Sequence, residues 1–406
     1  MKNLTFIHAA DLHLDSPMVG LQHLPANIFA RAKESTFAAL RKLTDTALKL
    51  QVDFVVIAGD IFDGEDRSLR AQSRFRTEML RLAEQGIPVF IVHGNHDHLN
   101  GSWVHIEMPA NVHVFSSEVE MKPFITKNGS LVHLYGFSYP TRHVFERKIA
   151  EYQRQEGADF HIGILHGNES SSMEHENYAP FTVRELQDKN MDYWALGHIH
   201  KQSILAQNPP IIYSGNIQGR NKKETGSKGY YYIELLGEEA KTEYFEAADI
   251  IWEEAEADTA KARQFHEILQ LCQSLKNQYR KENQGTFLIL HLKNIQLDDP
   301  EELQSIENEL IELLWEDEKD EDSFVWIVEL HISESKKIDK EQLKMDAPFY
   351  AELFETIDHY ENAEKALSPV FQHTLGRKYI SHITNEEIEE LIQKAEKLLV
   401  EILYEE

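Results

Sequence analysis

Short apolar runs and amphipathic segments alternate along the first 246 residues. The runs at 4–7, 54–58, 89–92, 132–137, 161–165, 193–196 and 211–213 are β-branched or aromatic, bounded by Gly, Asn, Asp or Pro. That pattern predicts strands. Residues 30–50 carry Phe37, Leu40, Leu43, Ala47 and Leu50 at spacings of three and four, and 69–85 repeat this with Phe75, Met79 and Leu82. Both stretches predict helices with one buried face. Strand–helix alternation points to an α/β layered domain over 1–246. A second region, 250–335, reads strand, helix, strand, helix, strand, and predicts a small α/β cap. From 336 to 406 the pattern is helical. It ends in 385–404, where Ile388, Leu391, Ile392, Ala395, Leu398, Leu399 and Ile402 form one stripe. No internal repeat or low-complexity linker interrupts this order.

A length of 406 residues suits two or three domains, and 42% hydrophobic with 27% charged residues supplies a core and excludes intrinsic disorder. No apolar run reaches the ~18 residues that a membrane span needs. The N-terminus reads as a strand rather than a signal peptide. Cys272 is the one cysteine, so no internal disulfide forms, and a reducing, cytoplasmic location is expected. The net charge of −28 is concentrated after residue 247, where 38 acids face 16 bases for a net of −22, leaving −6 on the rest. Such acidity reads as solvated helix faces and argues against a generally phosphate-binding surface. Histidine runs the other way, with 15 of 21 in the first 247 residues. Neutral imidazoles gathered with carboxylates are what a metal site requires.

Five small motifs follow the predicted strands in order. They are Asp11-Leu12-His13, Gly59-Asp60-Ile61-Phe62-Asp63, Gly94-Asn95-His96-Asp97, His166-Gly167 and Gly197-His198-Ile199-His200. In an extended chain residues i and i+2 point the same way, so Asp11 and His13 can share one ion, and His198 and His200 converge as well. Each group lies just past an apolar run, where open α/β sheets gather ligands. Adjacent glycines permit tight turns. Each motif alone is a common strand-end turn. The ordered set of five is not.

That set resembles the signature of the calcineurin-like metallophosphoesterases across residues 1–246. The resemblance implies an α/β fold, a β-sandwich flanked by helices, with the small α/β cap domain and helical C-terminal tail added. It implies two divalent ions. Asp11, His13, Asp60 and His200 would hold one, and Asp60, Asn95, His166 and His198 the other, with Asp60 bridging. His96 would be the acid beside the leaving group, oriented by Asp97. Carboxylate, amide and imidazole donors without a thiolate suit Mn²⁺ or a similar first-row ion. Two such ions, ~3.5–4 Å apart, offset phosphate charge and supply a nucleophile near neutral pH. The expected enzyme is therefore a metal-dependent phosphodiesterase.

Asp63 is followed by Gly64-Glu65-Asp66, not the Arg-Gly of serine/threonine phosphatases. The stretches from Ala10 to Pro17, from Tyr213 to Arg220 and from Lys228 to Tyr231 look like the SbcD branch of DNA-repair exonuclease subunits. That branch implies DNA as substrate, an SMC-like ATPase as partner and a homodimer, to which the apolar positions on 69–85 could contribute, although a helix this short can equally be buried against its own sheet. Some family nucleases carry histidine where this chain has Asp63, and an aspartate there repels phosphate unless it is hydrogen-bonded away. Arg67, Arg70, Arg74 and Arg76, and Arg220, Lys222, Lys223 and Lys228, cluster beside the motifs as phosphate contacts or as solvated faces. Trp103 and Tyr139 either stack bases or pack. His98 and His105 read as surface residues, His98 also as a substrate contact. The terminal helix either docks on the ATPase or packs on the chain's own helix near 349–354. A small-molecule phosphoesterase and a chiefly structural subunit are the alternatives.

Overall fold

The computed structural model describes all residues except 1, 19, 22–23, 65–66, 102–103, 171–177, 238, 296–301, 319–320, 335–342, 346, 359, 361–362, 364, 368–384 and 405–406. With strands numbered in chain order, the first sheet holds β1 (Asn3–Ala9), β2 (Phe54–Ala58), β3 (Val89–Val92) and β4 (Val112–Val114), mutually parallel. β11 (Gly229–Leu236) runs antiparallel to β1, and β12 (Glu239–Glu246) extends that edge, giving the order β12-β11-β1-β2-β3-β4. Helices α1 (Ala26–Leu50) and α2 (Leu69–Glu84) make the crossovers that parallel neighbours require. The second sheet has the order β5-β6-β7-β8-β10-β9. Its members are β5 (Glu120–Ile125), β6 (Leu131–Gly136), β7 (Phe160–His166), β8 (Tyr193–Gly197), β9 (Ser203–Gln207) and β10 (Pro210–Tyr213), with the short α3 (Val183–Asp188) before β8.

The two sheets bury one face against each other. Phe6, Phe54, Val56 and Phe90 meet Leu134, Ile162, Ile164 and Tyr193 there. Alternation along the strands sends Ile7, Val55, Ile57 and Ile91 to the opposite face, under Leu40, Leu43, Phe75 and Met79 of the two helices. Each such side chain contributes about 1.5–3 kcal/mol by leaving water. The seven predicted strands are all present. The prediction missed β4, β5, β9, β11 and β12. Of these β4, β5, β9 and β12 are half-exposed, and polar residues such as Lys241, Thr242 and Glu243 dilute their apolar signal. On α2, Phe75, Met79 and Leu82 are buried in the chain's own core, whereas Leu69 at its start is 54% exposed.

β13 (Ile250–Asp258), β14 (Gly285–Ile295) and β15 (Val325–Glu334) form a third sheet, with α4 (Phe265–Tyr279) and α5 (Glu302–Glu316) between them in sequence. One face packs Leu288, Leu290 and Leu292 on Ile268, Cys272, Leu310 and Leu314. The other carries Trp252, Phe287 and Trp326 onto Leu24, Ile28 and Ala32 at the start of α1. This shared core joins the third sheet to the first sheet's helical layer, and residues 1–333 form one compact unit. Residues 334–406 form a second. There α6 (Pro348–Asp358) and α7 (Asn385–Tyr404) bury Phe354 with Val400 and Leu343, while Leu391 and Leu399 stay 41% and 43% exposed. Of the predicted stripe, Leu391, Ala395 and Leu399 are exposed and Ile388 and Ile392 half-buried, and the apolar residue this helix buries, Val400, lies outside it. Among the described residues no helix is long and apolar enough to cross a membrane.

Candidate metal centre

The motif residues meet at the C-terminal ends of β1, β2, β3, β7 and β8, where both sheets turn their strand ends to one place. Asp11, His13, Asp60 and His166 are fully buried. Potential donor atoms of Asp11, His13 and His200 lie within 4.8 Å of one another, as do those of Asp11, Asp60 and His166. His13, Asp60 and His96 form a third such group. On the other side Asn95 Oδ1 stands 3.0 Å from His166 Nε2 and 3.2 Å from His198 Nδ1.

The backbone reaches this arrangement by a route the sequence reading did not foresee. Asp11, His13, Asp60 and His198 all have positive φ, at 52°, 41°, 50° and 99°. Asp11 and His13 therefore converge through a left-handed turn, not by extended-strand alternation. Such conformations cost on the order of 1–3 kcal/mol and persist when surrounding bonds hold them. Here Asp11 N donates to Gly59 O and His13 N to Asp60 O, both at 3.0 Å, and His198 N donates to Asp11 at 3.1 Å. His198 and His200 do not share a position: His200 Nε2 faces His13 Nε2 at 3.2 Å, whereas His198 joins Asn95 and His166.

Hydrogen bonds set which nitrogen each imidazole presents. His166 Nδ1 donates to Ala58 O at 2.9 Å, and His200 Nδ1 to Glu224 Oε1 at 2.7 Å. In the neutral form of each ring this leaves Nε2 as the nitrogen turned inward with a lone pair. Burial, with Arg220 and His200 nearby, pushes His13 well below the usual imidazole range. Its Nδ1 lies 3.2 Å from Asp63 Oδ1, outside hydrogen-bonding geometry. His13 Nε2 and His200 Nε2 lie 3.2 Å apart, close enough to share a proton or a cation. Burial raises the Asp11 carboxyl, partly offset by His200 and His166. Burial also opposes ionisation of Asp60, but His166, His96 and His13 outweigh it and hold Asp60 well below the carboxylate range. Burial lowers His166, yet Asp60 and Asp11 push it up to about 9, which shows how strongly this pocket attracts positive charge. A Cβ on Gly94 would strike Asp60 Oδ1 and His166 Nε2, so the space between them is kept clear of side chain. The donor set, its burial and this cleared space fit divalent ions.

Other expected site residues have different places. Asp97 does not orient the His96 ring. Its buried carboxylate accepts from His93 Nδ1 at 2.9 Å, Ile61 N at 3.0 Å and Gly94 N at 2.8 Å, and so pins the loop that carries Asn95 and His96. The half-buried His96 instead donates its backbone N–H to Asp60 Oδ1 at 2.9 Å, its ring edge-on to His13. Asp63 is paired with Arg220 Nη1 at 2.5 Å, so its charge is offset. Arg67 is buried and donates to the carbonyls of Asp97 and His98, which turns it to loop packing and away from phosphate. His98 is itself buried, against the surface expectation, whereas His105 is exposed. Arg70 is engaged by Asp15 and Glu34, Arg74 by Glu34, Arg76 by Glu107 O and Lys222 by Glu329, because acids on neighbouring elements meet them. Lys223 is exposed, and the buried Lys228 donates to His200 O at 3.1 Å. Tyr139 is core, its hydroxyl donating to His166 O at 2.8 Å. Trp103 lies outside the described residues. Sequence reasoning missed Glu224 and His93. Both act on motif residues but carry no motif signal of their own.

The sequence pattern of the calcineurin-like phosphoesterases matches residues 4–202. The chain is 41% identical over 405 residues to the uncharacterized metallophosphoesterase YhaO of Bacillus subtilis, covering 98% of each chain. It is 26% identical over 231 residues to the DNA double-strand break repair protein Mre11 of Thermoplasma acidophilum, covering 52% of this chain and 57% of that one. With the Mre11 protein of Methanocaldococcus jannaschii it shares 25% over 297 residues, 68% of this chain and 74% of the other. Matched end to end by a metallophosphoesterase and built around these converging carboxylates and imidazoles, the chain belongs to the calcineurin-like metallophosphoesterase family.

Proposed function

We propose that this metal-dependent phosphoesterase is a DNA phosphodiesterase, a nuclease subunit that works with an SMC-like ATPase. The observation that carries the chemistry is the convergence of Asp11, His13, Asp60, Asn95, His166, His198 and His200, with His96 at their rim. Asp11, His13, Asp60 and His200 would hold one ion, and Asp60, Asn95, His166 and His198 the other, Mn²⁺ being the ion whose preferences match. When bound, the two ions offset the charge of the phosphodiester and supply a nucleophile at neutral pH. Asp60, whose Oδ1 accepts the His96 N–H, would serve both ions. The His96 ring is the group positioned to give a proton to the leaving oxygen. Asp97 keeps that ring in place indirectly, through the loop.

DNA as the substrate is supported by the relatives named as DNA double-strand break repair proteins and by the pairing of Asp63 with Arg220, which removes one source of phosphate repulsion. A second reading, a phosphoesterase of small diesters, is favoured by one observation. Arg70, Arg74 and Lys222, which would track a phosphate backbone, are engaged by carboxylates. The test is purified protein with Mn²⁺ on single-stranded DNA, duplex DNA and a small aryl phosphodiester, beside His96→Ala. Degradation of DNA by the parent and not by His96→Ala supports the first reading. Turnover of the small diester with intact DNA selects the second.

A further inference from the structure

We propose that Glu224, Arg220 and Asp63 form an outer shell that fixes the orientation and tautomer of His200 and confines His13 beside it, and so tunes the affinity of one ion position and not the other. The proposal rests on the reading that these two imidazoles ligate the same ion.

The geometry runs as a closed chain. Glu224 Oε1 accepts from His200 Nδ1 at 2.7 Å and from Arg220 Nη2 at 3.2 Å. Its other oxygen accepts from Asn216 Nδ2 at 2.8 Å and from the Arg220 backbone N–H at 2.7 Å. The glutamate therefore has no rotational freedom left. Arg220 Nη1 reaches across to Asp63 Oδ1 at 2.5 Å, and that same oxygen lies 3.2 Å from His13 Nδ1. One guanidinium thus spans two carboxylates, and each carboxylate faces the outer nitrogen of one imidazole. The inner nitrogens, both Nε2, meet at 3.2 Å. A planar guanidinium with a fixed fork suits this task, whereas an ammonium would bind either acid as a point charge.

The other half of the centre is built differently. The outer nitrogen of His166 is held by a main-chain carbonyl, that of Ala58. His198 Nδ1 is turned to the Asn95 amide. Carboxylate support raises the basicity of a ligating imidazole and fixes its ring plane, and losing such a partner typically weakens metal binding ~10–100-fold. Because Glu224 is bonded to His200, while the outer nitrogen of His166 rests on a main-chain carbonyl, the two positions should respond unequally to the outer shell. This arrangement also explains why an aspartate at position 63 is compatible with phosphate chemistry: its charge is already engaged inward. Arg220, read from sequence as a substrate contact, has both terminal nitrogens on acids.

Mn²⁺ binding to the metal-stripped full-length protein tests this, by calorimetry and by electron paramagnetic resonance of the free ion. Glu224→Ala should weaken one of two ions ~10–100-fold, the same ion that His200→Ala removes. The ion removed by His166→Ala should bind as in the parent. Glu224→Gln, which keeps an acceptor without the charge, should fall between. Arg220→Ala should weaken the same position, and Arg220→Lys should restore it only in part. Metal-free melting curves and circular dichroism identify any variant that has simply lost its fold, and Glu224→Gln serves as the milder change in that case. The proposal is overturned if Glu224→Ala and Arg220→Ala bind both ions as the parent does while His200→Ala loses one. It is equally overturned if both ions weaken together, which marks a general structural role. Retention of both ions by His200→Ala would remove the ligand assignment itself, a failure distinct from that of the outer shell.

Discussion

Removing the Asp97 carboxylate strikes the loop that carries Asn95 and His96 without altering either side chain. Oδ1 accepts from Gly94 N, and Oδ2 from Ile61 N and His93 Nδ1, at 2.8, 3.0 and 2.9 Å, and Asp97 is completely buried. Asp97→Ala leaves those three donors without an acceptor. Each buried orphan costs about 1–3 kcal/mol, so the loss should reach about 3–6 kcal/mol once water and small shifts recover part of it. At roughly 2 °C per kcal/mol for a unit of this size, melting of the metal-free protein should fall by about 6–12 °C. Asp97→Asn keeps one oxygen and should lose about half as much. Burial raises this carboxyl, but the charge and hydrogen bond of His93 outweigh it and, with Arg67, hold it below the usual range. A depressed carboxyl stabilises fully above its unfolded value, near 4, and loses that contribution as pH falls through the folded value. The gap between parent and variant should therefore narrow only below about pH 4. Thermal denaturation followed by circular dichroism in chelator, across pH, makes the measurement. A variant that melts within about 1 °C of the parent at pH 7 would show that these three bonds do not carry the loop.

Asp60→Ala should abolish Mn²⁺-dependent phosphodiester cleavage while the fold survives, since it removes the carboxylate shared by two of the candidate ligand groups; full turnover by this variant contradicts the bridging role. Gly94→Ala should weaken Mn²⁺ binding about tenfold or more, because the added methyl meets Asp60 and His166; calorimetry giving parental affinity would show that the space is not used. His166, raised to about 9 by Asp60 and Asp11 against its burial, should stabilise the metal-free protein fully below about pH 6.5 and cease to do so as pH rises through 9. Mn²⁺ uptake at pH 7 should then release that proton, detected by calorimetry in buffers of different ionisation heat, and uptake without release would exclude it. Deleting residues 336–406 should leave metal-dependent cleavage of short single-stranded DNA largely intact and abolish association with the ATPase, and capture of that partner at parental affinity would refute the assignment.

Much of this molecule is legible one segment at a time. Apolar runs such as 54–58 and 89–92 must be buried strands, the three-and-four spacing of Phe75, Met79 and Leu82 must be one face of a helix, and polar residues just past the strands must gather at strand ends. Those are short-range properties of the chain, which is why the strands and the converging residues are found where the sequence puts them. Partner choice is not short-range. Asp97 takes His93 and two backbone donors instead of the neighbouring His96 ring. Asp63 meets Arg220 across 157 positions, and Asp11 meets the backbone of His198 across 187. Glu224 becomes the support of His200 only because the segment after β10 folds back over the strand ends. Periodicity reports which face of an element avoids water, and it is silent about which buried donor finds which acceptor. That pairing is decided when the two sheets close on each other, because each buried polar group left alone costs about as much as the strained backbone that brings it to a partner.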